Sequence, residues 1–278
     1  MLLSLLRSCR FVGKFYGYEP RAVTPLNLHR WLRQFPPEDR SAALTVLDKV
    51  VYFNKKRVVE SLLDHNAAIQ KTLQDRGLGP DKIAYVHIDT PGSSSSIMMH
   101  LLRNKGNLQR LPSLILDAND PQKLIEFIQR KKNIAVVYVD DFLGTGNQFC
   151  KSRDFLSGFF PTAQPELLLA PCVCEEAFKQ LVKRDVEVFT SLIHAKADRP
   201  LHPNSRILEH ASKARLLNIN RGLGKQASGF GLLASSVAMF HNSPNNMPLL
   251  LRGSLDQKPF VGILPRTTDL PVPRKYGR

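Results

Sequence analysis

Two adjacent carboxylates, Asp140 and Asp141, close an apolar run and are followed, two apolar residues later, by Gly144-Thr145-Gly146. Neighbouring carboxylates repel one another, so a purely structural reason for the pair is hard to supply. They do accept hydrogen bonds from vicinal hydroxyls. Glycines let a backbone fold tightly and turn successive N–H groups inward, and a helix N-terminus adds partial positive charge. A helix is expected to begin near Asn147 or Gln148. The stretch from Asp140 to Gln148 therefore reads as a phosphate cradle beside two carboxylates, which is the pairing a ribose 5′-phosphate would need. The same carboxylates could instead cap the helix or hold a metal. Thr145 and Gly146 at their offsets favour the sugar phosphate.

Such a cradle needs a rigid support, and the flanking sequence supplies one. From Lys82 short apolar runs alternate with amphipathic helices. Strands are expected at 83–88, 114–116, 134–139, 166–170 and 186–192. Helices are expected from the serine run through Leu101, after Asp120-Pro121 as cap and first-turn proline, and at 149–160 and 175–184. The 134–139 run is apolar on both faces, as in a central parallel strand. Strand–helix alternation implies an α/β fold with a right-handed parallel sheet flanked by helices. In an open sheet of this kind ligands bind beyond the carboxyl ends of the strands, where Asp140 and Asp141 fall. The first 80 residues read as a helical extension, with one helix over 41–53 capped by Ser41 and another over 58–73. Gly77-Leu-Gly-Pro80 breaks the pattern. The expected organisation is 1–80 helical, 81–264 α/β and 265–278 a basic, proline-rich tail. Residues 197–204 read as a mobile loop, and 232–240 fits strand or helix equally.

The formal net charge is +15, and the basic excess lies outside the nearly balanced stretch 81–160. That distribution suits a small-molecule pocket whose flanks meet a polyanion such as nucleic acid, though a merely soluble basic surface fits the charge as well. The four cysteines, at 9, 150, 172 and 174, lack zinc-ligand spacing and a disulfide framework. No apolar run reaches transmembrane length. Met1 to Leu6 reads as a packing segment rather than a signal peptide. Cytoplasmic placement without membrane contact is the expectation.

The run Val136-Val-Tyr-Val-Asp-Asp-Phe-Leu-Gly-Thr-Gly146 resembles the phosphoribosyl-diphosphate signature of type I phosphoribosyltransferases. The resemblance implies a type I phosphoribosyltransferase-like sheet. It implies that Asp140 and Asp141 hold ribose hydroxyls and assist catalysis, indirectly contacting Mg2+ that arrives with the diphosphate. Gly144, Thr145, Gly146, Asn147 and Gln148 would hold the 5′-phosphate, although Asn147-Gln148 stands where that family usually has Gly-Thr or Gly-Ser. The turn after the first sheet strand, Asp89, Thr90, Pro91, Gly92, Ser93, Ser94 and Ser95, would take the diphosphate. A closer resemblance is to a divergent phosphoribosyltransferase-like family of bacterial conflict and anti-phage loci, some with retron reverse transcriptases. Trp31-Leu-Arg-Gln-Phe35, the Asn147-Gln148 ending and Phe240-His-Asn-Ser-Pro-Asn-Asn-Met-Pro248 carry it. The last motif has Ser243 and Met247 where threonines are expected. On this resemblance His241, Asn242, Asn245 and Asn246 would form a pocket wall; by composition alone they are an asparagine–proline turn.

Two function classes follow. One is an effector enzyme acting at C1 of a ribose phosphate, with phosphoribosyl diphosphate or a nucleotide as ligand. The other is a non-catalytic module whose pocket senses a nucleotide or is vestigial. Its basic flanks would hold RNA, an RNA–DNA hybrid or a protein such as a reverse transcriptase. The acceptor is not legible: no general base stands out, His87 reads as a core residue, and Trp31 as a packing anchor.

Overall fold

The structure, a computed structural model, describes residues 9–87, 94–106, 114–117, 121–131, 133–160, 164–254 and 260–269. It divides into two compact units, one formed by residues 1–55 with 195–278 and the other by 56–194. Compactness thus divides the chain away from Pro80. The long helix assigned from sequence to the N-terminal region belongs, but for its first residue, with the sheet.

In the central unit, five strands lie in the order β3-β2-β4-β6-β8, every pair parallel: β2 Ile83–His87, β3 Leu114–Asp117, β4 Ala135–Val139, β6 Glu166–Leu169 and β8 Val186–Phe189. Their helices are α4 Lys55–Asp75, α5 Ser94–Lys105, α6 Pro121–Arg130, α7 Asn147–Ser157 and α8 Glu175–Val182. Every residue of β4 is buried, as a central strand covered on both faces requires. Val136 and Tyr138 join the core with Leu124, Phe149 and Ala177 of α6, α7 and α8. Tyr85 turns to the other face and donates its hydroxyl to Asn66 Oδ1 of α4 at 2.7 Å. From β2 the chain steps one way to β3, then returns past β2 to β4, so the strand order reverses between β2 and β4.

Three of these strands do not stop where the sequence suggests. After a two-residue break each resumes as a strand of a second parallel sheet, in the order β5 Phe142–Leu143, β7 Cys172–Cys174 and β9 Leu192–His194. The breaks, Asp140-Asp141, Ala170-Pro171 and Thr190-Ser191, lie side by side. Asp140 N–H donates to Leu169 O and Ala170 N–H to Phe189 O, each at 3.1 Å. The single strand expected over 186–192 is therefore two, because the break falls at Thr190, whose Oγ1 accepts from Leu192 N at 3.4 Å. All four cysteines are free thiols, and Cys172 and Cys174 are buried in β7.

The other unit carries α1 (residues 9–14), α2 Pro25–Leu32, α3 Arg40–Asp48, β1 Val51–Phe53, α9 His210–Arg221, β10 Val237–Met239 and α10 Leu249–Arg252. The helix expected over 41–53 stops at Asp48, with Asp39 rather than Ser41 at its N-cap. Beyond it Val51-Tyr-Phe53, β-branched and aromatic, pairs in parallel with Val237-Ala-Met239. This pairing also settles 232–240 as containing a strand. Trp31 is fully buried and donates Nε1–H to Leu250 O at 2.7 Å, in the anchoring role expected of it. The segment 197–204 is packed rather than mobile. Arg199 and Leu201 are buried, and Lys213 Nζ donates to the carbonyls of His202, Pro203 and Ser205. Residues 270–278, the end of the expected tail, lie outside the described residues, as do Met1 to Leu6.

Candidate functional site

Asp140 and Asp141 form the first of the three breaks, at the carboxyl end of β4. Asp140 is partly exposed and its Oδ1 accepts the backbone N–H of Asp141 at 2.8 Å; Asp141 is buried. The local bond turns the chain out of β4 and leaves the two residues in different environments, one partly exposed and one buried.

The loop that follows is built around Gly146, the N-cap of α7, at φ +79°. A Cβ here would lie 3.1 Å from Ala177 Cα and 3.2 Å from Ala177 Cβ, so both the backbone conformation and the contact with α8 call for glycine. Cys150 N–H donates to Gly146 O at 2.8 Å, starting the helix, and Asn147 N–H to Thr145 Oγ1 at 3.3 Å. Gly144 is buried, while Asn147 and Gln148 are exposed at the helix N-terminus. Sequence reasoning missed Gln180 of α8, which braces this loop. Its Nε2 donates to Thr145 O at 2.8 Å and to Asn147 Oδ1 at 3.0 Å, while its Oε1 accepts from Cys150 Sγ at 3.4 Å. Nothing in a lone glutamine 30 residues downstream signals that job. With Oδ1 of Asn147 held by Gln180, the amide Nδ2 is the end of that side chain suited to meet a phosphate oxygen.

The expected diphosphate turn begins one strand away. His87, which ends β2 rather than lying within it, pairs in register with Val139, which ends β4. The two loops thus start from neighbouring strand ends, about 4.8 Å apart. Asp89, Thr90, Pro91, Gly92 and Ser93 lie outside the described residues. Ser94 and Ser95 open α5, and Ser95 is buried. The reversal of strand order between β2 and β4 makes this point the topological switch of the sheet, where open α/β folds take their ligands.

Two strands further along the line of breaks, Ser191 Oγ lies 2.7 Å from Ser61 Oγ and 3.0 Å from His65 Nε2. Burial pushes the His65 pKa below its usual value, partly opposed by Asp64. This cluster joins α4 to the end of β8 and had no signal in the sequence, Ser191 lying 130 positions from Ser61 and 126 from His65.

A cavity of about 270 Å3 lies at the opposite end of the sheet, lined by Arg153, Glu166, Arg184 and Asp185 among others. Glu166 is the first residue of β6, so the cavity is at the amino ends of the strands. Its central charges are matched: Arg153 forks onto Glu166 at 2.9 and 2.5 Å, and Tyr138 donates to Glu166 Oε2 at 2.8 Å. The Glu166 carboxylate raises the Arg153 pKa, and burial next to that carboxylate raises Tyr138. This is a structural ion network.

His241, Asn242, Asn245 and Asn246 belong to the other unit. The His241 ring packs against Phe240, centroids 4.9 Å apart. Asn242 Oδ1 accepts from Ser243 N at 3.0 Å and Thr267 N at 3.2 Å. Asn245 O accepts from Phe230 N at 2.9 Å, and Asn246 Nδ2 donates to Phe230 O at 2.8 Å. Asn242 and Asn246 thus act as framework for neighbouring turns.

Among the described residues no three His, Cys, Asp or Glu side chains cluster as a metal cage. The partly exposed carboxylate of Asp140 at the switch point is compatible in its chemistry with a Mg2+ that takes one or two carboxylates and fills its other positions with phosphate oxygens. No helix among the described residues is long and apolar enough to cross a membrane.

No curated protein matches the chain. A family model described as PRTase-CE matches residues 28–266, which takes in segments of both compact units, the parallel sheet, its acidic switch point and the glycine-rich N-cap of α7. The chain belongs to the PRTase-CE family and is a phosphoribosyltransferase-like protein.

Proposed function

We propose that the switch point between β2 and β4 binds a ribose 5-phosphate ligand, phosphoribosyl diphosphate or a nucleotide, and acts at its C1. The observation that carries this reading is the register His87 to Val139, which starts the serine-rich turn and the Asp140-Asp141 break from adjacent strand ends. The backbone from Gly144 to Gly146 and the first turn of α7 would take the 5′-phosphate, with the helix N-terminus favouring its charge. Asp140, the more exposed carboxylate, would accept hydrogen bonds from the ribose hydroxyls. Asp141 would hold the break and add negative charge beneath the sugar. As the C1–O bond to diphosphate breaks, positive charge grows on the sugar, and fixed carboxylates stabilise it by preorganised electrostatics, on the order of 3 kcal/mol per well-placed group. Mg2+ arriving with the diphosphate would neutralise the leaving group. Asp140 and Asp141 are the residues that would meet it, indirectly, through the ribose or a bridging water. The resemblance to conflict-locus proteins leads us to place this chemistry in phage defence, as an effector that consumes nucleotides or their precursor.

Calorimetry with phosphoribosyl diphosphate and magnesium tests the pocket. The wild type should bind, and Asp140→Asn should weaken binding more than Asp141→Asn does. A folded wild type that takes up neither phosphoribosyl diphosphate nor a nucleoside monophosphate rejects the assignment. Binding without turnover would favour a sensing module over an enzyme.

A further inference from the structure

The charge of the molecule is partitioned between its two units. Residues 1–55 and 195–278 contain 22 basic and 8 acidic side chains, a net +14, whereas 56–194 contain 17 and 16, a net +1. The unit with the ribose-phosphate site is thus electrically near neutral, and nearly the whole excess of +15 belongs to the other. An excess of that size on one compact body suits a polyanionic partner.

The same unit holds its most unusual backbone in one loop. Between α9 and β10, Gln226, Leu232 and Ala234 adopt positive φ values of 60°, 55° and 47°, and Gly229 and Gly231 values of 80° and 68°. Non-glycine residues rarely take this conformation, and where several do so together the surroundings must enforce it. Here the enforcing group is Asn245-Asn246. Asn245 O and Asn246 Nδ2 grip both sides of Phe230, Asn246 O accepts Ser235 N at 3.0 Å, and a Cβ on Gly229 would lie 2.1 Å from Asn246 O. The outcome of this constraint is an apolar tip. Phe230 is 43% and Leu232 72% exposed, although folding ordinarily turns such side chains inward. Two exposed cations, Arg221 and Lys225, precede the tip, and no acidic residue occurs between Glu209 and Asp256.

We infer that the Phe230-Gly231-Leu232 tip is a stacking platform for single-stranded nucleic acid, with Arg221 and Lys225 meeting the adjoining phosphates. One aromatic ring and one leucine, held by Asn245-Asn246 and preceded by two cations, suit a single unstacked base. They do not make an apolar face large enough to enter a bilayer. The cationic excess of the unit would then follow the rest of the strand, without regard to its sequence. This site does not depend on the ribose-phosphate reading.

Fluorescence anisotropy tests it, using full-length protein freed of nucleic acid at high salt and a labelled oligothymidine of about 20 nucleotides, a length covering more than one binding site. Binding should weaken steeply with salt. Phe230→Ala with Leu232→Ser, both exposed positions, should weaken it by about 5–100-fold while leaving the salt dependence unchanged. Arg221→Ala with Lys225→Ala should lower the salt slope by about 1.4. Asp140→Asn should change neither. Three results would overturn the inference: no binding by the wild type, binding indifferent to Phe230 and Leu232, or tip-dependent binding to phosphatidylserine vesicles in place of the oligonucleotide.

Discussion

Single residues fix the candidate site more tightly than its motif suggests. Gly146 must be glycine twice over, for its left-handed backbone and for its approach to Ala177. Gly146→Ala should cost at least ~1–2 kcal/mol from the backbone alone, with a further cost as α7 and α8 move apart. Urea denaturation checks the stability, and calorimetry should show weaker phosphoribosyl diphosphate binding as the cradle shifts. His65 adds a pH dependence. Its folded pKa lies below the ordinary 6.5, so the unfolded chain binds its proton more readily than the folded one. The corresponding stability is present above pH 6.5 and is lost as pH falls through 6.5 toward the folded value. Denaturation midpoints at pH 7.5 and 5.5 should differ less for His65→Gln than for the wild type. The Asp-Asp-x-x-Gly-Thr-Gly pattern was legible in sequence because its parts are contiguous. Gln180, His65 and Ser191 were not, because each acquires its partner only when separate elements pack.

At the scale of elements, the parallel sheet was readable because apolar runs covered on both faces leave few alternatives to a buried strand. The strand boundaries were less so. The breaks at Asp140-Asp141, Ala170-Pro171 and Thr190-Ser191 are one feature repeated on three neighbouring strands, and their alignment depends on pairing register, which no local pattern carries. The same limit applied to β1, whose residues continued a helical periodicity and became a strand only because β10 offers it an edge. The Arg153–Glu166–Tyr138 network ties α7 to Tyr138 of β4 and to the amino end of β6. Glu166 is 7% exposed, so Arg153→Met would strand a buried carboxylate and should cost ~3–5 kcal/mol. Converting Glu166 to Leu in the same protein should recover much of that loss. Parallel denaturation of the single and double variants measures both.

On the scale of the whole molecule, the unit made from residues 1–55 and 195–278 closes only when both ends of the chain are present. Val51 pairs with Val237, and Trp31 reaches Leu250. A fragment of residues 1–80, which the sequence suggested as a separate helical region, should therefore fail to fold. Its amide NMR spectrum should collapse into the narrow dispersion of an unfolded chain, whereas the intact protein should give a dispersed one. The charge partition between units was equally hidden in the linear sequence, because the basic body is assembled from two stretches with the neutral one between them.

That discontinuity also sets a schedule for biosynthesis. A ribosome releases the strand at Val51 long before it makes the partner at Val237. With roughly 190 residues between them and elongation at ~5–20 residues per second, the wait is about 10–40 s. The five-stranded sheet can complete itself during that interval, while the nascent N-terminal segment waits with Val51-Tyr-Phe53 lacking its partner strand. The interval is therefore the period of greatest aggregation risk and of greatest demand for a chaperone. Slowing translation after residue 194 should lower the yield of soluble protein more than slowing it before residue 56.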